Sequence, residues 1–236
     1  DIGAGDLATM ATISAESQGT GLFRAKKEGV VAGLVLLERI FYFIDPKVNV
    51  SLLTKDGTQV AQGTVVAEAA GPVRALLLAE RTALNFLQRL SGTATLTRQY
   101  VEAVKDFPCK VLDTRKTTPG LRTLEKYAVR MGGGTNHRIG LYDAALVKDN
   151  HIEATGSIAE AVKAVRLHAP FMAKVEVEAG NLTQVQEAID AGADVIMLDN
   201  MSTVQMAEAV RLVNRRAWVE ASGGITLNTI RQIAET

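Results

Sequence analysis

"MAKVEVEAGNLTQVQEAIDAGADVIMLDNMSTVQMAEAVRLVNRRAWVEASGG", Met172 to Gly224, alternates short β-branched runs with amphipathic stretches. In the runs "VEVEA", "DVIMLD" and "WVEAS" side chains fall on opposite faces with a period of two. In "NLTQVQEAIDAG" and "STVQMAEAVRLVNR" apolar residues recur three and four apart. Strand and helix alternating in this way predict right-handed βαβ units and a parallel sheet. Outward from this stretch the rhythm continues. "CKVLDT" at 109–114 reads as a strand before a helix around 121–131. "AALVKDN" at 144–150 reads as a strand before the helix "SIAEAVKAVRLHA", and "TLNTIRQIAE" follows the last strand as a helix. Units of a little over twenty residues point to a (β/α) barrel more than to an open sheet.

A barrel places its chemistry where strands end and βα loops begin. The polar residues fall at those ends: Asp113 to Lys116, Lys148 to Asn150, Glu176 and Glu178, Asp199 and Asn200, Ser222 to Gly224. Between Lys110 and Lys148 eight basic residues meet only three acids, interleaved with Gly and Pro turns, which points to an anion site. Arg115, Lys116, Arg138 and Lys148 form the cationic set. Arginine offers a planar fork to carboxylates and lysine a point charge to phosphate. His137, beside Arg138, reads as a hydrogen-bonding partner of an anion rather than a zinc ligand. Arg122, Lys126 and Arg130, four residues apart, read as a solvated helix face. Six acids against Lys174 alone lie between residues 171 and 200. Of these, Glu178 and Asp199 are the candidate ligands of Mg²⁺, whose hard oxygen preference suits a phosphate-bearing substrate; salt bridging to nearby lysines is the plainer alternative. "SGGI" at 222–225 reads as a small anion nest before a helix.

The first half has a different grammar. "VVAGLVLLERIF" and "VNVSLLTKDGTQVAQGTVVAEAAG", within residues 30–71, predict a small α+β domain with antiparallel strands, and Lys55-Asp56-Gly57 predicts a hairpin turn. Two helices are expected at about 73–89 and 91–105, with Ser91 as N-cap of the second. Arg81 falls between Leu77 and Leu84 on an apolar stripe with no acid three or four residues away. That is the position of an interface residue reaching a partner, or of a side chain snorkelling to solvent.

The chain has 236 residues, 47% hydrophobic and 22% charged, with 26 basic residues balancing 26 acidic ones. No net field draws it to nucleic acid or anionic lipid. "GVVAGLVLL" at 29–37 is too short to span a bilayer. Cys109 is the only cysteine, which fits a reducing compartment and predicts small core filling at a strand start. A cytoplasmic enzyme is expected.

The stretches "AERTALNFLQRLSGTATLT", "DTRKTTPGLRTLEKYAV", "GGGTNHRIGL", "KDNHI", "VEVE", "IMLDNMS" and "ASGGI", in this order along nearly the whole chain, resemble quinolinate phosphoribosyltransferase. The resemblance implies an N-terminal open-faced α/β (α+β) sandwich over residues 1–90. It implies an incomplete α/β barrel over 91–236, lacking its last strand because the family continues beyond this point. It implies transfer of phosphoribose from phosphoribosyl pyrophosphate to quinolinate with decarboxylation, Mg²⁺ and no organic cofactor. Arg115, His137, Arg138 and Lys148 would line the quinolinate carboxylate pocket, and Arg81 would enter it from the other subunit of a homodimer. Thr114 and Lys116 would contact ligand, with Lys116 near pyrophosphate. Glu178 and Asp199 would face ribose and metal, and Ser222, Gly223 and Gly224 would hold the 5-phosphate. Ala8 stands where the family usually has threonine. An anion-binding paralogue associated with molybdate transport, or another barrel enzyme of phosphorylated sugars, are the alternatives. The complete arginine set speaks against the first and the N-terminal domain against the second.

Overall fold

Strand-forming runs of three to five residues, each followed by a helix, build the second half of the chain. The computed structural model describes residues 1–236. In chain order the elements are α1 (Leu7–Thr12), β1 (Gln18–Arg24), β2 (Gly29–Val30), α2 (Leu34–Ile44), β3 (Asn49–Leu52), β4 (Gln59–Val60), β5 (Val65–Pro72), α3 (Val73–Ala103) and α4 (Arg122–Met131). They continue with β6 (Ala145–Val147), α5 (Asp149–Thr155), α6 (Ile158–His168), β7 (Val175–Ala179), α7 (Leu182–Asp190), β8 (Val195–Asp199), α8 (Thr203–Val213), β9 (Trp218–Ser222) and α9 (Ile230–Ala234). The chain divides into two units: Asp1–Val101 with Lys110–His137, and Glu102–Cys109 with Arg138–Thr236.

In the first unit β1, β5 and β3 form an antiparallel sheet, with β5 central, and β2 pairs with β4 separately. Phe23, Leu34, Leu37, Phe41, Ala67 and Ala69 fill its core, with the Phe23 and Phe41 rings edge to face at 6.0 Å. The expected antiparallel α+β organisation is present, but Asp56-Gly57 does not close a hairpin. The turn exists, with Gly57 at φ +87°, yet it joins β3 to β4, which belong to different sheets. The Asp56 carboxylate is used elsewhere. It accepts the Leu34 N–H at 3.0 Å, where Gly33 leaves the α2 N-terminus without a side-chain cap, and the Tyr127 hydroxyl at 2.6 Å.

The two helices expected around a break at Ser91 are one, α3. Ser91 is not a cap. Its hydroxyl accepts the Ala32 N–H at 3.0 Å and donates to the Ala32 carbonyl, and Thr95 treats Val30 in the same way at 2.9 Å. Mid-helix hydroxyls here serve as lateral partners for an adjoining strand end, which is why a sequence resembling a start signal runs straight through. The buried stripe of α3 is Ala75, Ala79, Ala83, Leu87, Leu90, Ala94 and Thr97, not the expected Leu77 to Leu84 line. Ala75, Ala79 and Ala83, spaced by four, share one helix face and belong to the core of the first unit. Leu77 is 40% exposed and Arg81 is exposed beside it.

Burial first, and then the Asp56 carboxylate, hold the Tyr127 hydroxyl's pKa above its ordinary value. A folded pKa above the unfolded one means that the contribution is full below about pH 10 and is lost as pH rises past it. Tyr127→Phe is therefore expected to cost about 1 kcal/mol at neutral pH and to flatten the loss of Tm on the alkaline side. Parallel Tm curves for the two proteins above about pH 10 would contradict this.

In the second unit β6, β7, β8 and β9 lie side by side and parallel, as the alternation predicts. Ser157, Asn181 and Ser202 cap α6, α7 and α8 through their side chains. Val147, Val175, Val177, Ala179, Ile196 and Leu198 pack against those helices on one face. "CKVLDT" is not a strand. Leu112 makes a single parallel bridge to Thr135, and Cys109 is exposed rather than core filling, because no neighbouring strand runs along it. None of the helices is long and apolar enough to cross a membrane.

Candidate functional site

The sheet's alternation decides what faces away from the helices. Register pairs Leu146 with Glu176, Glu178 with Met197, Met197 with Glu220, and Asp199 with Ser222. Residues paired across parallel strands share a face, and residues two apart share it too. Lys148, Glu176, Glu178, Asp199, Glu220 and Ser222 therefore lie on one face, opposite the valines and isoleucine under the helices. The inner face of a barrel is ordinarily filled by branched apolar side chains. Here it mixes Leu146, Val195, Met197 and Trp218 with polar residues, and its most polar row stands at the C-terminal strand ends.

Lys148, the residue after β6, places its ammonium 2.9 Å from the Glu178 carboxylate at the end of β7. Its own N–H donates to His151 Nδ1 at 3.0 Å, which ties it to the first turn of α5. Asp199, last in β8, accepts from the Asn200 side-chain amide at 2.7 Å. Asn200 sits at φ +53° and its N–H donates to the Ser222 carbonyl at 2.9 Å, stitching the ends of β8 and β9 together. Gly223 has φ +94°, and a Cβ there would lie 2.2 Å from Asn200 Oδ1. Only glycine fits between that amide and the turn. Gly224 is also at positive φ. Arg138 donates to the Ala144 carbonyl at 3.0 Å. Asp143 accepts the Ile139 and Gly140 N–H groups, which hold its carboxyl below the usual range and order the loop beside Arg138.

In the first unit the segment after Asp113 carries Thr114, Arg115 and Lys116. The Thr114 hydroxyl accepts the Lys116 N–H at 3.0 Å, and the Thr114 and Lys116 side chains are exposed. Arg115 is half-buried, and its Nε is fully buried with no acceptor in the chain. A buried unpaired guanidinium donor is costly unless something else supplies the acceptor. The helix α4 holds this segment. Arg122 donates to the Thr117 hydroxyl at 3.1 Å and to the Arg115 carbonyl, and Glu125 accepts the Thr118 N–H at 3.0 Å. Burial raises the Glu125 carboxyl, but the Thr118 N–H and the Arg89 guanidinium outweigh it and hold it below its ordinary value.

The expected solvated face of α4 is thus corrected. Lys126 is 3% exposed and paired with buried Asp113, and Arg122 grips the preceding loop. His137 donates its backbone N–H to Asp113 at 2.8 Å, and Arg81 makes no ion pair within the chain. Sequence reasoning places Asp113 at a strand end without giving it a role, assigns Lys126 to solvent, misses Glu220 and passes over Glu176, which is 4% exposed. For the two glutamates a signal existed, since each lies two residues before a chosen one on the same strand face. For Lys126 none did, because a four-residue spacing of cations is what a surface helix also shows.

Residues 6–91 match the N-terminal domain, and residues 93–236 the C-terminal domain, of quinolinate phosphoribosyl transferase. A probable nicotinate-nucleotide pyrophosphorylase [carboxylating] of Synechocystis is 50% identical over 239 residues, covering 100% of this chain and 81% of that protein. Its Bacillus subtilis counterpart is 50% identical over 230 residues, covering 98% and 79%. Among solved structures, NadC from Streptococcus pyogenes superposes with a TM-score of 0.95 at 47% identity, covering 98% of this chain and 82% of that one. The nicotinate-nucleotide pyrophosphorylase from Francisella tularensis gives 0.95 at 41%, covering 100% and 83%. Matched in both halves and similar to these proteins over nearly its whole length, the chain belongs to the quinolinate phosphoribosyl transferase family.

Proposed function

We propose that the chain transfers phosphoribose from phosphoribosyl pyrophosphate to quinolinate with loss of CO₂, giving nicotinate mononucleotide and pyrophosphate for NAD biosynthesis. One observation carries this beyond family membership. The sheet face away from the helices ends in Lys148, Glu178, Asp199 and Ser222, with the glycine nest next to them.

In this reading Arg115, His137, Arg138 and Lys148 take the two quinolinate carboxylates. The Arg115 Nε without an acceptor supports it, since a carboxylate oxygen is what such a donor lacks. Thr114 contacts ligand, and Lys116, on the same exposed turn, is placed toward pyrophosphate. Ser222, Gly223 and Gly224 hold the 5-phosphate through backbone N–H groups. The pyridine nitrogen attacks ribose C1 as the C1–O bond to pyrophosphate breaks. Positive charge develops at the sugar, and Glu178 and Asp199 favour it electrostatically. The quaternised ring then accepts the electron pair of the C2–carboxylate bond as CO₂ leaves, and C2 takes up a proton. Two dissimilar polyanions must be held side by side, and the cationic set offsets their mutual repulsion.

Glu178 and Asp199 fit Mg²⁺ by donor chemistry, being carboxylates in adjoining strand-end rows of one face. Bound there with the sugar phosphates, Mg²⁺ supplies charge neutralisation to the leaving group. No organic cofactor enters the reaction. The two matched family ranges meet between residues 91 and 93, inside α3, close to the expected boundary at 90 and 91. Arg81 acts from the other subunit of a homodimer, and its exposure beside Leu77 on α3 supports that role.

Purified protein given quinolinate, phosphoribosyl pyrophosphate and Mg²⁺ should release CO₂ in step with nicotinate mononucleotide. Chelation should abolish both, and Asp199→Asn should raise the Mg²⁺ needed for half activity by about tenfold. An unchanged Mg²⁺ requirement would remove Asp199 from the metal.

A further inference from the structure

Asp113 and Lys126 form an ion pair in which both side chains are almost wholly buried. Around it the side chains of Asp113, Lys126 and Asn136 and the backbone of His137 are joined by hydrogen bonds. Asp113 accepts from Lys126 Nζ, from the His137 N–H at 2.8 Å and from the Asn136 side-chain amide. Lys126 Nζ also donates to the His137 carbonyl at 3.0 Å, and Asn136 Nδ2 donates to the Lys126 carbonyl at 2.9 Å. The backbone of His137 is therefore gripped from both sides, its N–H by the acid and its carbonyl by the base. The same acid is the residue before Thr114, Arg115 and Lys116, and its own N–H donates to the Thr135 carbonyl at 3.2 Å. One buried pair thus anchors the starts of two ligand-bearing segments.

Stability alone does not account for it. Removing two charges from water is expensive, and replacing a buried ion pair by apolar groups of similar size is often neutral or stabilising. What such a pair does supply is direction. Its charge-assisted hydrogen bonds fix peptide planes in a way that packed methyl groups do not.

We propose that Lys126 and Asp113 are positioning residues of the quinolinate pocket, acting through the backbone of His137 and the Arg115 turn. This rests on the reading of that pocket given above. Neither side chain touches the substrate. Their effect is on the geometry with which Arg115 and His137 meet a carboxylate, where displacement by about an ångström can cost up to a hundredfold.

Lys126→Met alone leaves Asp113 buried and unpaired, so it is expected to unfold more readily and is uninformative about position. The test uses Asp113→Asn with Lys126→Met, which removes both charges, and separately Lys126→Arg, which keeps the charge but changes the donor geometry. Calorimetry of the wild type with quinolinate comes first, because absent binding there would refute the pocket and not the pair. Given wild-type binding, both variants are expected to keep Tm near that of the wild type. They should weaken quinolinate binding by about tenfold to a hundredfold and leave the KM for phosphoribosyl pyrophosphate within about twofold. Unchanged quinolinate affinity in either folded variant, or equal losses for both substrates, would overturn the assignment and leave the pair a packing device. Should the neutral pair fail to fold, Lys126→Arg decides alone.

Discussion

Arg81→Ala and Lys148→Ala are each expected to be nearly inactive, and mixing the two inactive proteins after subunit exchange is expected to restore turnover. Removing one partner of a desolvated charge pair costs about 2–5 kcal/mol, so each single variant should lose roughly two to three orders of magnitude in kcat/KM. The two losses have different geometric origins. Lys148 stands at the end of β6 beside Glu178, whereas Arg81 is exposed on α3 and makes no ion pair within its own chain. If Arg81 serves the site of the other subunit, a mixed dimer has one site with both defects and one with neither. Random exchange makes about half of the dimers mixed, so activity should return to about a quarter of the wild-type value. Should each site use its own chain's Arg81, every site would keep one defect and mixing would restore nothing.

How much of this was legible in the letters follows from the kind of signal each residue carries. From Ala145 to Ser222 the alternation of β-branched runs and amphipathic stretches was sufficient, because parallel strands under helices need apolar residues that little else in a sequence imitates. The helix caps at Ser157, Asn181 and Ser202 are local and were equally readable. Where local and long-range use of a residue compete, the reading failed. Ser91 looked like a helix start and is a lateral partner of Ala32. Asp56-Gly57 looked like a hairpin and supplies the N–H acceptor for α2 and the partner of Tyr127. On α3 the long leucines suggest the buried stripe, while the face that joins the core is the one carrying alanines every four residues.

The candidate site divides in the same way. Lys148 and Glu178 were chosen separately, and the structure pairs them at 2.9 Å. Asp199, Ser222 and Gly223 were chosen from strand ends, and register joins them through Asn200. Lys126 was assigned to solvent and is buried, since helix periodicity says which residues share a face but not what that face meets. Glu176 and Glu220 show the reverse. Their faces were fixed by period two, and only the register across β7, β8 and β9 shows that both belong to the polar side.

The central claim is a cationic pocket shaped for two carboxylates on one pyridine ring, and titration calorimetry of quinolinate against nicotinate tests it most directly. Both ligands offer the ring and one acid, so they differ only in the second carboxylate. With nicotinate one carboxylate is missing, and the members of the set Arg115, His137, Arg138 and Lys148 that it would have met stay with water; none of the four is buried, so the loss is that of charged hydrogen bonds, about 1.5–3 kcal/mol. Quinolinate should therefore bind about tenfold to a hundredfold more tightly than nicotinate, and raising the salt should weaken quinolinate more, because it engages more charge. Equal affinities for the two acids would contradict a two-carboxylate pocket.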